Sequence, residues 1–238
     1  MGYSMSTIEV NSIDKESGST LTLGGSGTQV TVHASATTSG FPEAGFSSVQ
    51  TFTSSGTWTR PTGITKVIIE VQGGGGSGNA SSTASVITSG AAGGYAKKFL
   101  DVSSISSSTI TVGSGGASGS GGDQNGTAGG DSSWADGTNT ITGSGGAGAN
   151  SSSNVQAAGG AASGGDINIP GQDSGHGYTS LTGSSSMLGH GASYIYSSSA
   201  AGSGTRDAKG YGGGGACGSA SYAGGAGGAG IVIVWEYK

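Results

Sequence analysis

The chain carries two repeating patterns of apolar and small residues, one with a period of two and one with a period of three. The period of two is clearest in residues 65–72, where Val67, Ile69 and Val71 share one face, and in residues 231–237. Alternation of this kind is typical of β-strands. On the same grounds we expect strands at residues 50–53, around Trp58, at residues 95–102 and at residues 109–112.

The period of three is clearest just before the last strand. Counting in threes from Gly212 to Gly230, six of the seven positions are glycine and the seventh is Ser221. Shorter stretches with this period begin at Gly113 and Gly143. Three residues per turn is the period of the polyproline-II family of extended helices, which have no internal hydrogen bonds. A bare glycine backbone lets a neighbouring backbone come close enough to pair with its N–H and C=O groups.

These two patterns together predict an all-β fold: an antiparallel β-sandwich core with inserted polyglycine-II-type helices and long loops. One straight helix over residues 212–230 would be nearly 60 Å long at ~3.1 Å per residue. This length exceeds the width of a compact domain of this size. We therefore expect the helix to break at Ser221 and Tyr222. Residues 79–92 and 150–157 are polar and small, and we expect them to be loops.

The first residues form a separate unit, and we place the domain boundaries at residues 1–45 and 46–238. Short alternating stretches with glycines between them predict three short strands in residues 1–40. So few large apolar residues cannot form a core alone. Identical copies about a three-fold axis would supply the missing contacts. We therefore expect a short trimeric β N-terminal segment that serves trimerisation and attachment.

Composition and charge exclude several classes of function. Glycine accounts for 54 of the 238 residues and proline for only 3, and the net charge is −5. Residues 102–205 contain no lysine or arginine, so the basic surface that nucleic-acid binding needs is missing. No apolar run approaches the ~18 residues of a membrane-spanning helix. The single cysteine, Cys217, falls in the small-residue phase of the glycine repeat, which predicts a tight buried contact.

No catalytic or cofactor motif is specific enough to carry a function. Gly73-x-Gly75-x-x-Gly78 fits a dinucleotide-binding fingerprint, but no helix pattern follows it and the next acidic residue is Asp101. Five aspartates lack the spacing of calcium-binding repeats, and turn or capping roles suit them better: Asp123, Asp131, Asp136, Asp166 and Asp173. Metal ligation by His176 and His190 is open, with exposure on loops favoured. We expect no enzymatic activity, no cofactor and no metal.

Aromatic and basic side chains gather in residues 172–211, on segments without a sustained period. Tyrosine offers a large apolar surface with a polar tip at low entropic cost, which suits recognition surfaces. For Tyr194 and Tyr196, packing against the glycine frame is an equal alternative. We assign Trp58 and Trp235 to the core and leave Trp134 open. The candidate receptor-binding residues are Tyr178, His190, Tyr194, Tyr196, Arg206 and Tyr211.

Several motifs, in this order, resemble the glycine-rich domain of bacteriophage tail-fibre and receptor-binding proteins. They are residues 52–61, residues 65–76 (TKVIIEVQGGGG), residues 93–96 (GGYA), residues 110–113 (ITVG) and residues 230–237 (GIVIVWEY). The resemblance implies a homotrimeric fibre end in the virion, assembled in the host cytoplasm, that adheres to a bacterial surface. It implies no catalytic residues, and no contact residue can be carried over.

The sequence therefore predicts the distal, receptor-binding part of a phage tail fibre. Its expected partners are two further copies of itself, an upstream fibre or tail protein bound through residues 1–45, and a bacterial surface glycan or outer-membrane protein. Three alternatives stay open: a purely structural fibre component, an ice-binding-like extracellular glycine-rich protein, and a capsule depolymerase.

Overall fold

A computed structural model describes residues 45–80, 88–119, 123–152, 155–175, 182–193, 206–218 and 223–238. The chain divides into two compact units, Met1–Pro42 and Glu43–Lys238. The expectations for residues 1–45 lie almost entirely outside the described part. The second unit is all-β, and its strands are β1 Phe46–Phe52, β2 Gly56–Thr59, β3 Lys66–Gln72, β4 Tyr95–Asp101, β5 Ser107–Thr111, β6 Ser132–Ala135, β7 Thr140–Gly143, β8 Ala162–Ser163, β9 Ile167–Ile169, β10 Gly189–His190, β11 Lys209–Gly210 and β12 Ile231–Tyr237.

Two five-stranded antiparallel sheets pack in the manner of a sandwich. The first sheet has the order β1-β12-β3-β4-β9 and the second has the order β2-β5-β6-β7-β8. The last strand lies between the first and the third, since β12 pairs with both β1 and β3. The predicted all-β antiparallel fold is therefore confirmed, and each of the six strands expected between residues 50 and 237 is present. A separate two-stranded ribbon, β10-β11, lies within residues 172–211.

The core between the sheets contains the branched side chains of β3 and β12 and two tryptophans. Val67, Ile69 and Val71 face Trp58 and Trp134, and all five are fully buried. The two indole rings lie 6.0 Å apart at 53°. Trp134, which the sequence left open, is thus a core residue.

The assignment of Trp235 to the core is wrong. Along β12 the residues that face the core are Val232, Val234 and Glu236, and Trp235 has the opposite parity. It lies half-buried on the outer face of the first sheet, where its ring is 6.2 Å from that of Phe46. Both faces of β12 are rich in apolar residues, so alternation alone could not identify the inner one.

The glycine-rich stretches continue the strands of the sandwich and form a bundle of extended segments. The central segment, residues 73–80, follows β3 and is completely buried. Its N–H groups take three directions in turn. Those of Gly73, Gly76 and Asn79 donate to Gly94, Ala91 and Thr88, and the two remaining series donate to residues 124–130 and 225–228. Each series advances by three residues on both segments.

The carbonyl groups of the central segment accept hydrogen bonds from three further segments. Gly146 and Ala149 donate to Gly74 and Ser77, again three residues apart, and other donors lie in residues 113–119 and 212–218. The central segment is therefore surrounded by six neighbours, and we call these seven segments the glycine bundle: 73–80, 88–94, 113–119, 124–130, 144–150, 212–218 and 223–230. Its hydrogen-bond repeat has the same length as the glycine repeat of the sequence.

Glycine is required in this bundle because the segments pack backbone to backbone. A Cβ atom on Gly75 would lie 1.9 Å from the carbonyl oxygen of Gly213, and one on Gly78 would lie 1.9 Å from that of Ala216. The sequence-based assignment of residues 79–92 to a loop is therefore wrong for the residues described on both sides, since residues 79–80 and 88–92 are buried in the bundle. The expected break at Ser221 and Tyr222 lies outside the described residues.

Aspartates satisfy N–H groups at the edges of the structure, as the sequence favoured. The carboxyl groups of Asp131 and Asp173 accept from the N–H groups of Gly145 and Gly159 at 2.8 and 2.7 Å. Asp136 closes its own turn through the N–H groups of Thr138 and Asn139. The N–H of Phe99 donates to Asp166 and, together with Lys98, lowers the pKa of that carboxyl. These contacts explain why acidic residues recur in a chain held together by main-chain bonds.

Cys217 is fully buried in the bundle, which confirms the predicted tight contact, and we expect its thiol to be inert in the folded protein. Burial raises the pKa of the Cys217 thiol to about 12. Only the thiolate reacts with disulfide reagents, so reaction with Ellman's reagent at pH 8 should be negligible in buffer. It should be complete in guanidinium chloride. Stoichiometric labelling within minutes in buffer would contradict this packing.

Candidate ligand-binding cleft

An open cleft of ≈ 750 Å³ lies on the flank of the glycine bundle, within the range usual for small-molecule sites. Its walls come from three stretches that the sequence grouped as one irregular region. The residues whose side chains offer polar groups are Gln172, Thr182, Ser184, Ser185, His190, Ser193 and Lys209. Two of these residues, His190 and Lys209, are basic, and the described part of the wall contains no acidic residue.

The ribbon β10-β11 brings the two basic side chains together. His190 and Lys209 are cross-strand partners, and both are exposed. The ribbon has glycines where its strands meet: Gly189 pairs with Gly210, and Gly210 has a φ of +85°. A Cβ on Gly189 would lie 2.5 Å from the backbone nitrogen of Tyr211, so only glycine allows this pairing.

The opposite wall is fixed to the bundle by main-chain hydrogen bonds. Gln172 accepts from Ala92 through its backbone carbonyl, and its side-chain oxygen accepts from the N–H of Ser185 at 3.1 Å. Ser184 is buried; its N–H donates to the carbonyl of Gly90, and its own carbonyl accepts from the N–H of Gly214. The side-chain amide nitrogen of Gln172 is thus the group left to donate to a ligand. The wall is rigid because it belongs to the same hydrogen-bonded array as the core of the bundle.

A smaller apolar recess of ≈ 230 Å³ adjoins this cleft and shares Gln172 and Ser185 with it. It is lined by Tyr95, Ile169 and Met187. Burial, together with the neighbouring Glu70, raises the pKa of the Tyr95 hydroxyl above its ordinary value. The two recesses together offer a polar, basic surface next to an apolar one.

The structure brings together only some of the residues that the sequence proposed for receptor binding. His190 lines the cleft, and Tyr211 follows β11 directly, half-buried, with its carbonyl held by Ser186 at 2.5 Å. Arg206 is bonded to two segments of the bundle: its carbonyl accepts from the N–H of Ala216, and its side chain donates to the carbonyl of Ala223 at 3.3 Å. Tyr178, Tyr194 and Tyr196 lie outside the described residues. Lys209 and Gln172 were missed as individual site residues, since neither belongs to any sequence motif.

The dinucleotide fingerprint at residues 73–78 has a structural explanation. The N–H groups of Gly73, Gly75 and Gly78, which a phosphate would need, donate instead to carbonyl groups of neighbouring segments. These glycines are also fully enclosed. Within the described ranges there is no group of three or more His, Cys, Asp or Glu side chains placed to hold a metal ion. Nor does that part of the chain include a helix of the length and apolarity needed to cross a membrane.

A comparison with curated proteins finds none that matches this chain. The family model described as "Glycine-rich domain" matches residues 47–237, from the first strand of the sandwich to the last. The protein therefore belongs to the glycine-rich domain family.

Proposed function

We propose that this chain is the distal, receptor-binding part of a bacteriophage tail fibre, and that it adheres to an anionic glycan on the bacterial surface. The observation that carries the proposal is the flank cleft, in which His190 and Lys209 meet on a rigid, hydrogen-bonded support. The protein as a whole is acidic, so two basic groups with no acidic residue among the described residues of the wall favour a carboxylate- or phosphate-bearing ligand.

The glycine bundle supports the same proposal as a display platform. We propose that its segments wind as polyglycine-II helices, since their hydrogen bonds repeat every three residues and point in three directions. At the end away from the sandwich, Asn79 pairs with Thr88, Ala80 with Gln124, and Gly218 with Asn79. The described segments therefore end at one level here, and we propose that receptor contacts are also made at this end of the bundle.

The assembly proposed for this function is a homotrimer in the virion, formed in the host cytoplasm and joined to an upstream fibre protein through residues 1–45. Three copies per fibre and several fibres per particle would multiply weak glycan contacts into firm attachment. The proposed chemistry is recognition alone, without catalysis, cofactor or metal. A purely structural fibre component would share the bundle and lack the ligand.

An array of capsule and lipopolysaccharide glycans, with neutral and anionic members, tests the proposal. We expect the purified full chain to retain anionic glycans, and we expect the double variant His190→Ala, Lys209→Ala to lower their binding at least about tenfold, because a charge-assisted hydrogen bond contributes roughly 1.5–3 kcal/mol. Lys98→Ala is the matched control, since it removes a lysine whose ion pair with Asp166 is on the sandwich. Binding to neutral glycans only, or equal losses in both variants, would contradict the proposal.

A further inference from the structure

The outer face of the first sheet, which turns away from the core, is unusually apolar. Seven large apolar residues are well exposed among those described, and five of them lie on this one face: Phe46, Val49, Phe99, Ile167 and Ile169. Scattered exposed apolar residues are normal on a protein surface, but a contiguous group on one sheet face marks an interaction site.

Strand register arranges this face in rows. The middle row crosses four neighbouring strands and is entirely apolar: Val49 pairs with Trp235, Trp235 with Ile68, and Ile68 with Phe99. Residues two apart on a strand share a face and lie ~6.8 Å from each other. One charged row therefore lies on each side of the apolar row, with Lys66 and Asp101 on one side and Glu70 and Lys97 on the other.

The two charged rows have opposite orders of sign on the same pair of strands. In the first row the residue on β3 is positive (Lys66) and the residue on β4 is negative (Asp101). In the second row the residue on β3 is negative (Glu70) and the residue on β4 is positive (Lys97). Each row is neutral in itself, and Glu70 and Lys97 form an ion pair at 3.2 Å. A nucleic acid or an anionic membrane would gain no net attraction from such a face.

A second copy of the same face fits these charges. A two-fold axis that runs along the apolar row, between two stacked sheets, exchanges the rows on either side while each strand stays opposite its own copy. Lys66 of one copy then faces Glu70 of the other, and Asp101 faces Lys97. The apolar residues of the middle row meet their own counterparts, and two sheets can stack in this way about 10 Å apart.

We propose that the outer face of the β1-β12-β3-β4-β9 sheet is a two-fold interface between copies of this chain, held by the apolar row Val49–Trp235–Ile68–Phe99 and flanked by the pairs Lys66–Glu70 and Asp101–Lys97. The cleft that contains His190 and Lys209 shares no described lining residue with this interface, whereas the apolar recess beside the cleft contains Tyr95 and Ile169 of the same sheet face. The interface also uses other residues than the three-fold assembly proposed for residues 1–45. A two-fold contact would join two of the units that the N-terminal segment forms.

Charge exchange within each row gives a test that leaves the net charge of the chain unchanged. The double variants K66E/D101K and E70K/K97E each keep opposite charges on neighbouring strands, yet each places like charges opposite one another across the two-fold axis. The quadruple variant restores attraction. Sedimentation equilibrium of the full chain over a range of concentrations should show the wild type and the quadruple variant doubling in mass, with association at least about tenfold weaker in each double variant.

Small folding costs do not obscure this result. D101K removes the bond to Ser103, and E70K removes a partner of Tyr95, but the quadruple variant carries both losses as well. Its recovery can therefore come only from the restored pairs. If the quadruple variant associates no better than the doubles, or if the doubles associate like the wild type, the proposed two-fold register is overturned.

Phe99 supplies an independent measurement because the axis places it opposite its own copy. Phe99→Cys should give a covalent dimer with a short bismaleimide, since Cys217 is buried and leaves the new cysteine as the accessible thiol. Val155→Cys is the matched control, because Val155 is 65% exposed against 55% for Phe99 and lies on neither sheet. Phe99→Glu should weaken association while Val155→Glu should not. Equal crosslinking at both positions, or a wild-type mass without doubling at any concentration, would mean that some other partner or segment covers the face and would overturn the proposal.

Discussion

Replacing Gly75 by alanine should unfold the glycine bundle, with a loss of at least about 4 kcal/mol in the free energy of unfolding. The new Cβ would lie 1.9 Å from the carbonyl oxygen of Gly213 and 2.8 Å from that of Gly212. Both obstacles are backbone atoms, which cannot move aside as a side chain can. Separating the segments would also break the bonds of Gly75 to Gly228 and to Gly116.

Urea unfolding at a fixed protein concentration measures this effect, and Gly56→Ala is its control. Gly56 lies in β2 with nothing within 4 Å of its added Cβ, so alanine there should change stability by less than about 1 kcal/mol. The contrast separates close packing of backbones from the general effect of adding a methyl group. If Gly75→Ala were as stable as Gly56→Ala, the bundle would be loosely packed and could not serve as a rigid platform.

The glycine repeat predicted the bundle from the sequence because one physical cause governs both. A three-residue period can be seen in the letters, and each bond series of residues 73–80 advances by three residues on its partner segments. The sequence could not indicate which segment lies at the centre. The last two residues of this segment, Asn79 and Ala80, were assigned to a loop from the sequence, yet all of residues 73–80 are buried. Six neighbours from distant parts of the chain decide that position.

The strands were predictable where apolar alternation is long, and not where it is short. Residues 132–135 and 140–143 form β6 and β7 with only one large apolar residue each, Trp134 and Ile141. Their place is set by β5 on one side and by the glycine segments that leave them, which a local pattern does not contain. The assignment of Trp235 to the core was wrong for the opposite reason, because both faces of β12 are apolar. Only the position of β2 and its Trp58 identifies the inner face.

The candidate cleft was predictable as a region but not as a set of residues. The aromatic and basic composition of residues 172–211 pointed to this region, and His190, one of the residues proposed from the sequence for receptor binding, lies in the wall of the cleft. Lys209 and Gln172 join His190 only because the ribbon and the bundle bring three stretches of chain together. Arg206 was proposed as a binding residue because it is a basic residue in this region. Its backbone carbonyl, however, accepts a hydrogen bond from Ala216 of the bundle.

Replacing Glu236 by leucine should cost about 3 kcal/mol, because it leaves a buried indole N–H without an acceptor. Glu236 is 1% exposed and faces the core from β12. Its carboxyl group accepts from Trp58 at 2.8 Å, from Gln50 at 2.7 Å and from Ser48 at 2.5 Å. Ser48 and Gln50 are partly exposed and can turn to water, whereas Trp58 is completely buried and cannot.

A double-mutant cycle in thermal or urea unfolding isolates this contact. Glu236→Gln should cost less than about 1.5 kcal/mol, since its amide oxygen still accepts from Trp58 and its amide nitrogen can donate to Ser48. Trp58→Phe removes the donor, so Glu236→Leu should be less costly in that background by roughly 1–3 kcal/mol. Because this contact joins the first sheet to the second, the coupling measures how firmly the sandwich is closed. Additive losses in the cycle would show that the Trp58–Glu236 bond adds nothing to the packing around it.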